Sequence, residues 1–188
     1  MSNLKVNTIS NISNKQLLAD TGNIVQTIYV RTDARNVWSS NNRYQFTPIT
    51  SLTLDITPKR PQNMIIVQCS LFCEIHHDNV MTILRDYGSG DLMPGMVENR
   101  SGNFNPRHSG MIPADYTGNN NDSTPRVYFM QNTWIANTHS TIRFTPGVRG
   151  AGGSNYVLYL NRCQGSNANG QNSYEIGYST MIAWEVTQ

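Results

Sequence analysis

Charged residues are scarce in this chain of 188 residues. They make up 14% of the sequence, against about 25% in a typical soluble domain, and only three of the 14 basic residues are lysine. The formal net charge is +2, and Lys and Arg do not cluster anywhere along the chain. A groove that follows a nucleic-acid backbone needs such a cluster, so we expect no nucleic-acid partner.

Long apolar runs and helix-forming residues are also in short supply. No apolar run approaches the 18 or so residues of a membrane span, so the sequence predicts no membrane insertion. The first ten residues lack a basic stretch followed by an apolar one, and we therefore expect no Sec-type signal peptide. The chain contains 23 Asn, 17 Thr and 16 Ser but few Ala, Leu, Glu and Lys, and this balance argues against long helices.

Cysteine occurs only three times, as Cys69, Cys73 and Cys163. An odd number argues against the disulfide framework of a small secreted domain. Cys69 and Cys73 lie four residues apart in a predicted strand, which separates them by about 13 Å, too far for a disulfide. We interpret the three residues as buried, apolar thiols.

Short strand patterns separated by Gly, Pro and Asn run through residues 23–188. The clearest is 63–75, in which one alternating set is wholly apolar and is expected to face the core. That set is Ile65, Val67, Cys69, Leu71, Cys73 and Ile75. Further strands are predicted at 23–31, 49–56, 80–87, near 107–113, 126–136, 138–146, 154–163 and 173–186, with a glycine-rich loop over 148–155. Eight to ten short strands without helical periods between them predict an all-β antiparallel sandwich or jelly roll.

Residues 1–22 differ from the rest of the chain. They contain several aliphatic residues but no aromatic one, namely Leu4, Val6, Ile9, Ile12, Leu17 and Leu18. One interpretation is a loose terminus. We favour the other, an extended assembly arm that orders only against another subunit or a larger particle, because these apolar side chains would gain no burial in a solvated tail. The predicted organisation is thus an arm over 1–22 and a β-sandwich head over 23–188.

The acidic and histidine residues of 74–78 are the best metal-ligand candidates in the sequence. Glu74, His76 and Asp78 would share one face of a strand, and His and carboxylate groups bind metals. The alternative is a polar strand end that leads into a turn. We predict no bound metal and no cofactor, and these three residues are the candidates if an ion is held.

Signals of catalysis are weak throughout. The sequence has no G-x-S-x-G nucleophile motif and no cysteine in a recognisable catalytic context, so we expect no enzyme activity. Polysaccharide hydrolysis would need two converging carboxylates, and a free carbohydrate-binding module is the other alternative. Tyr87, Phe104 and Tyr116 lie in predicted loops among Asn and Ser. They suit either contacts with a carbohydrate or protein surface or the packing of the loops themselves.

Four segments stand out as a set: LKVNTIS (4–10), LDITPKRPQNMIIVQ (54–68), EIHHDNV (74–80) and GQNSYEIGYSTMIAWEV (170–186). With several others, they resemble segments of virion structural proteins of marine tailed bacteriophages, especially those of cyanobacteria. In that group an LKVNTI-type segment opens fibre-like proteins, and a QNSYE-type block lies at the end of a β-rich head. Here the arm meets the head without the long shaft of many such fibres.

The resemblance implies a non-enzymatic virion protein, made in the host cytoplasm. The first expectation is a short tail fibre or spike whose loops recognise the host surface, and the alternative is a capsid decoration protein that stabilises the shell. The expected partners are copies of the chain in a homotrimer, other virion proteins, and a host-surface glycan or protein. A closed ring offers the arm a surface on which to bury its apolar residues.

Overall fold

The computed structural model describes residues 22–40, 46–75, 79–86, 93–94, 125–150, 156–164 and 175–188, with 93–94 described by backbone alone. These residues form eleven β-strands and no helix, so the predicted all-β class is confirmed. In this part of the chain no helix is long and apolar enough to cross a membrane. The predicted arm up to residue 21 and the predicted strand near 107–113 lie outside the described residues.

The strands are β1 (Ile24–Thr32), β2 (Val37–Ser40), β3 (Thr47–Pro48), β4 (Leu54–Ile56), β5 (Met64–Ile75), β6 (Asn79–Asp86), β7 (Met93–Pro94), β8 (Arg126–Ile135), β9 (Ile142–Gly150), β10 (Tyr156–Leu160) and β11 (Ser179–Val186). All of their pairings are antiparallel. They make two sheets.

The larger sheet is built around β5. Its strand order is β1-β11-β5-β10-β2, and β8 pairs with β5 as well. Because β11 and β8 both pair with the segment that starts at Met64, they must occupy opposite edges of β5. Over that segment the sheet therefore runs β1-β11-β5-β8. The smaller sheet has the order β3-β9-β6-β7, and β4 also pairs with β9.

The core lies between the two sheets. All six members of the alternating apolar set of β5 are buried, which confirms the predicted orientation of this strand. From the smaller sheet, Leu54, Ile83 and Phe144 enter the same core. The rings of Trp134 in β8 and Phe144 in β9 lie 4.9 Å apart between centroids, so aromatic contact joins the two layers.

Strand β9 departs from the sequence prediction. It continues to Gly150, so residues 148–150 of the predicted glycine-rich loop are strand. Pro146 lies inside the strand without an N–H to donate, and its carbonyl oxygen accepts a hydrogen bond from the Ile49 N–H at 2.7 Å. The next residue must be small, because a Cβ on Gly147 would lie 2.7 Å from Leu84 Cδ1.

Two other differences concern short strands. Of the strand predicted over 49–56, only Leu54–Ile56 pairs as a strand, although Leu52 is buried as expected. The strands Val37–Ser40 and Thr47–Pro48 were not predicted, because segments this short carry too few residues to show a period of two.

All three cysteines are buried and free, as predicted. Burial raises the pKa of the Cys69 and Cys73 thiols, which keeps them protonated. They act as small apolar groups of the core.

Candidate interaction surface

One face of the larger sheet is unusually apolar for a face that points away from the core. We call it the outer face and define it as the outward-pointing residues of β1, β11, β5 and β8. Its apolar members are Ile24, Tyr29, Ile182, Trp184, Val186, Met64, Ile66, Phe72, Val127, Phe129 and Ile135. An antiparallel sheet with one solvated face normally alternates between apolar inward and polar outward residues. The outer face breaks that rule on all four strands.

The exposed apolar area is concentrated on the two outermost strands. On β1, Tyr29 is 58% exposed, and Ile24 and Val25 are exposed at the start of the strand; we call these three residues the β1 flank. On β8, Val127 and Phe129 are 60% and 58% exposed, and with Ile135 they form the β8 flank. Side chains on β11 and β5 between the flanks are half-buried by their neighbours. Several large, exposed apolar side chains on one face of a sheet are typical of an interaction site.

Charge is nearly absent from this surface. Within the four described strands, Arg31 is the exposed charged residue of the outer face, and its guanidinium carbon lies 4.1 Å from the centroid of the Tyr178 ring. Glu74 also points outward but is buried, and the remaining polar members are uncharged hydroxyl and amide side chains. Gln68 donates to Gln131 Oε1 at 2.6 Å, which pairs two of these amides across β5 and β8. Depletion of charge with exposed aromatic side chains is the composition of a protein–protein interface core.

A buried carboxylate fixes the β11 strand at one end of this face. Glu185 accepts hydrogen bonds from the backbone N–H groups of Lys59 and Arg60 and from the side-chain amides of Asn63 and Gln26. Burial favours a higher pKa for Glu185, but the hydrogen bonds from Lys59, Asn63, Gln26 and Arg60 outweigh it, so the pKa is lowered from its usual value. The carboxylate is thus held ionised and ties the segment after β4 to the larger sheet.

Asn161 fixes the opposite end. Its backbone has φ of 57°, a left-handed conformation that Asn tolerates better than most residues. Its side-chain amide donates to the carbonyl oxygens of Thr32 (3.1 Å) and Ala34 (2.9 Å), and its Oδ1 accepts from Ser179 Oγ at 2.7 Å. The backbone N–H of Asn161 also donates to the Phe72 carbonyl at 2.9 Å. One residue therefore joins the ends of β1, β5 and β11.

The predicted recognition residues are not tested by the described part of the chain. Tyr87, Phe104 and Tyr116 lie outside the described residues, as do the six aliphatic residues of the predicted arm. Their proposed roles stay predictions.

Of the three metal-ligand candidates, only Glu74 is described. It is buried although it points away from the core, because Gln164 folds over it and donates its backbone N–H to Glu74 Oε2. Within the described residues, no three His, Cys, Asp or Glu side chains gather as a metal site, and His76 and Asp78 are not among them. The structural role of Glu74 is to anchor the segment that follows β10.

The outer face was not predicted from the sequence. The sequence does carry an indication of this face. In 23–31 and 126–136, apolar residues occur at both odd and even positions, so both faces of each strand carry apolar side chains. Such a pattern is typical of a strand that is covered on both faces, yet here one of the two faces is exposed.

Comparisons with known proteins add little. No family model and no curated protein matches the chain. The chain is similar to a chain of a solved structure of T=1 particles derived from infectious bursal virus, with 12% identity and a TM-score of 0.35. The similarity covers 97% of this chain but only 41% of the viral chain. Agreement at this level establishes neither a common fold nor a common function.

Proposed function

We propose that the chain is a non-enzymatic structural subunit of a bacteriophage virion, which works by associating with copies of itself and with neighbouring virion proteins. The observation that carries the proposal is the outer face, because a broad apolar surface with little exposed charge suits lasting contact with protein. The all-β fold of two packed sheets supplies a rigid platform for that surface.

The sequence resemblance to marine tailed-phage proteins supports the choice of particle. We propose a homotrimeric short tail fibre or spike, attached through residues 1–22, whose distal loops contact a glycan or protein of the host surface. In this arrangement the head carries the contacts between copies, and the arm carries the contact with the particle.

Capsid decoration is the second candidate, because it needs the same two properties, self-association and an arm that grips the particle. The position of the protein on the virion separates the two. An antibody raised against the purified chain and detected by immunogold electron microscopy should label the tail of the phage that encodes the chain. Label on the shell would instead identify the chain as a capsid decoration protein. Particles without any label would contradict the proposal that the chain is part of the virion.

Host recognition is tested separately. Purified, fluorescently labelled protein should bind whole host cells and should not bind a resistant strain that the phage cannot adsorb. Absence of binding to susceptible cells at micromolar protein would contradict the recognition role and favour decoration.

A further inference from the structure

We propose that Gly22, Asn23 and Thr187 form a fixed joint between the arm and the head, which sets the direction in which the arm leaves the larger sheet. We call these three residues the arm joint. The inference rests on the proposed function, in which residues 1–22 attach the head to the particle. It adds that the head is held at a defined angle to its attachment and does not hang on a loose tether.

The backbone of Gly22 has a conformation that most residues avoid. Its φ is 83°, and among the described glycines it is the one in the left-handed region. A Cβ on Gly22 would meet nothing within 4 Å in the described part of the chain, so the position needs glycine for its backbone conformation and not for lack of space. Because an extended strand has φ near −140°, the path of β1 turns sharply at this residue.

Three hydrogen bonds hold the arm joint together. The N–H of Gly22 donates to the Thr187 carbonyl at 2.8 Å, and the N–H of Thr187 donates to the Asn23 carbonyl at 3.0 Å. The N–H of Asn23 donates to Thr187 Oγ1, also at 3.0 Å. A flexible glycine linker samples many conformations and leaves its backbone groups to water. Here one residue, which directly follows β11, accepts the N–H groups of both Gly22 and Asn23, so the turn at Gly22 is fixed relative to the sheet.

A second feature that sets chain direction lies just beyond the arm joint. The register of β1 against β11 shifts between Ile24 and Gln26, which makes Val25 the extra residue of a β-bulge. A bulge bends its strand and increases the local twist. The left-handed residue and the bulge thus lie within four residues of each other, where a loose attachment would require neither.

A fixed joint has a consequence for assembly. If the arm rotated freely about Gly22, copies attached to the particle would face in many directions, and ordering them would cost entropy when their outer faces meet. With the direction fixed, attachment already orients each copy in the same way. Pre-organisation of this kind strengthens association without any new contact.

The substitutions Gly22→Val and Gly22→Asn, made in the full chain, test the joint. The two new side chains are similar in size, but Asn accepts a left-handed backbone, as Asn137 and Asn161 do in this fold, whereas a β-branched residue does not. Spin labels are attached to Asp20→Cys and Asp33→Cys, since the three native cysteines are buried.

Double electron–electron resonance then measures the distance between the two labels, in labelled chain diluted with unlabelled chain. The parent and Gly22→Asn should give one narrow distance distribution. In Gly22→Val the distribution should be at least about twofold wider, because the left-handed conformation is no longer populated.

The hydroxyl of Thr187 gives a second matched pair. Thr187→Val removes the acceptor for the Asn23 N–H while keeping the shape of the side chain, and it should widen the distribution as well. Thr187→Ser keeps the hydroxyl and should not. As the control, labels on Gln62→Cys and Asp33→Cys, both exposed positions of the head, should give the same distances in every variant and so show that the head is folded.

A wide distribution in the parent would overturn the proposal, as would equal widths in Gly22→Val and Gly22→Asn. In particles complemented with each variant, Gly22→Val should be incorporated at least about fivefold less than Gly22→Asn, and equal incorporation would also overturn the joint. Deletion of residues 1–22 separates this failure from failure of the proposed function. If the deleted chain is excluded while Gly22→Val is fully incorporated, the arm attaches the head and the joint is rejected. If the deleted chain is incorporated, attachment through the arm is itself rejected.

Discussion

Two asparagines with left-handed backbone conformations show how differently single residues contribute to this fold. Asn137 has φ of 56° and an exposed side chain, and its backbone N–H donates to the Pro61 carbonyl at 2.7 Å. Asn161 has nearly the same φ, but its buried side chain joins three strand ends. Both positions require a left-handed backbone conformation, but only the side chain of Asn161 makes hydrogen bonds that join strands.

This contrast gives a matched pair of substitutions. Asn137→Ala should cost about 1 kcal/mol, the penalty of a left-handed conformation for an ordinary residue. Asn161→Ala should cost about 3–5 kcal/mol, because the same penalty is joined by the loss of buried hydrogen bonds. Urea unfolding of both variants at pH 7 measures the difference. Equal losses would show that the Asn161 side chain adds nothing beyond its backbone conformation.

Glu185 links stability to pH. Its pKa is lowered in the folded state, so its contribution is present above the unfolded value of about 4.3 and is lost as the pH falls through the folded pKa. Glu185→Gln should cost about 2–4 kcal/mol at pH 7, because the N–H groups of Lys59 and Arg60 lose a charged acceptor.

The cost of Glu185→Gln should shrink as the pH falls from 5 towards 2, where the parent carboxyl also becomes neutral. Unfolding free energies at several pH values measure the trend. Asp33→Asn, at an exposed position between β1 and β2, is the control and should change stability little. A Glu185→Gln cost that is independent of pH would contradict the role of the ionised carboxylate.

At the scale of elements, β5 shows what its own sequence could and could not predict. The period of two identified the buried set from Ile65 to Ile75, because each strand residue alternates between faces regardless of partners. The same strand did not reveal that Glu74 is buried, because the backbone that covers it belongs to Gln164, ninety residues later. The outer face was missed for a similar reason. Whether the second apolar set of a strand is covered depends on which elements pack on that face and on contacts with other chains. Neither can be read from the residues of the strand itself.

The packing of Phe72 over Gly177 gives an element-scale prediction. A Cβ at residue 177 would lie 2.5 Å from Phe72 Cδ1, so Gly177→Ala should displace the ring and cost about 1–3 kcal/mol. In a Phe72→Ala background the clash is removed, and the same substitution should be nearly neutral. A double-mutant cycle of urea unfolding measures this coupling. An equal cost in both backgrounds would show that the ring does not set the requirement for glycine.

For the molecule as a whole, the division between arm and head is the prediction most open to test. Deleting residues 1–22 should leave the head folded, because the described strands begin at Ile24 and pair among themselves. It should abolish incorporation into particles, which a complementation assay in infected cells followed by immunoblotting of purified virions measures. Normal incorporation of the shortened chain would contradict the arm.

The central claim is that copies of the chain cover the apolar outer face. The most direct test is the mass of the unmodified full chain in solution, measured by sedimentation equilibrium over a wide range of concentrations. The proposed homotrimer predicts a species of about three times the 21.1 kDa chain mass, which persists into the low micromolar range. A chain that stays at 21.1 kDa up to the highest soluble concentration would contradict it.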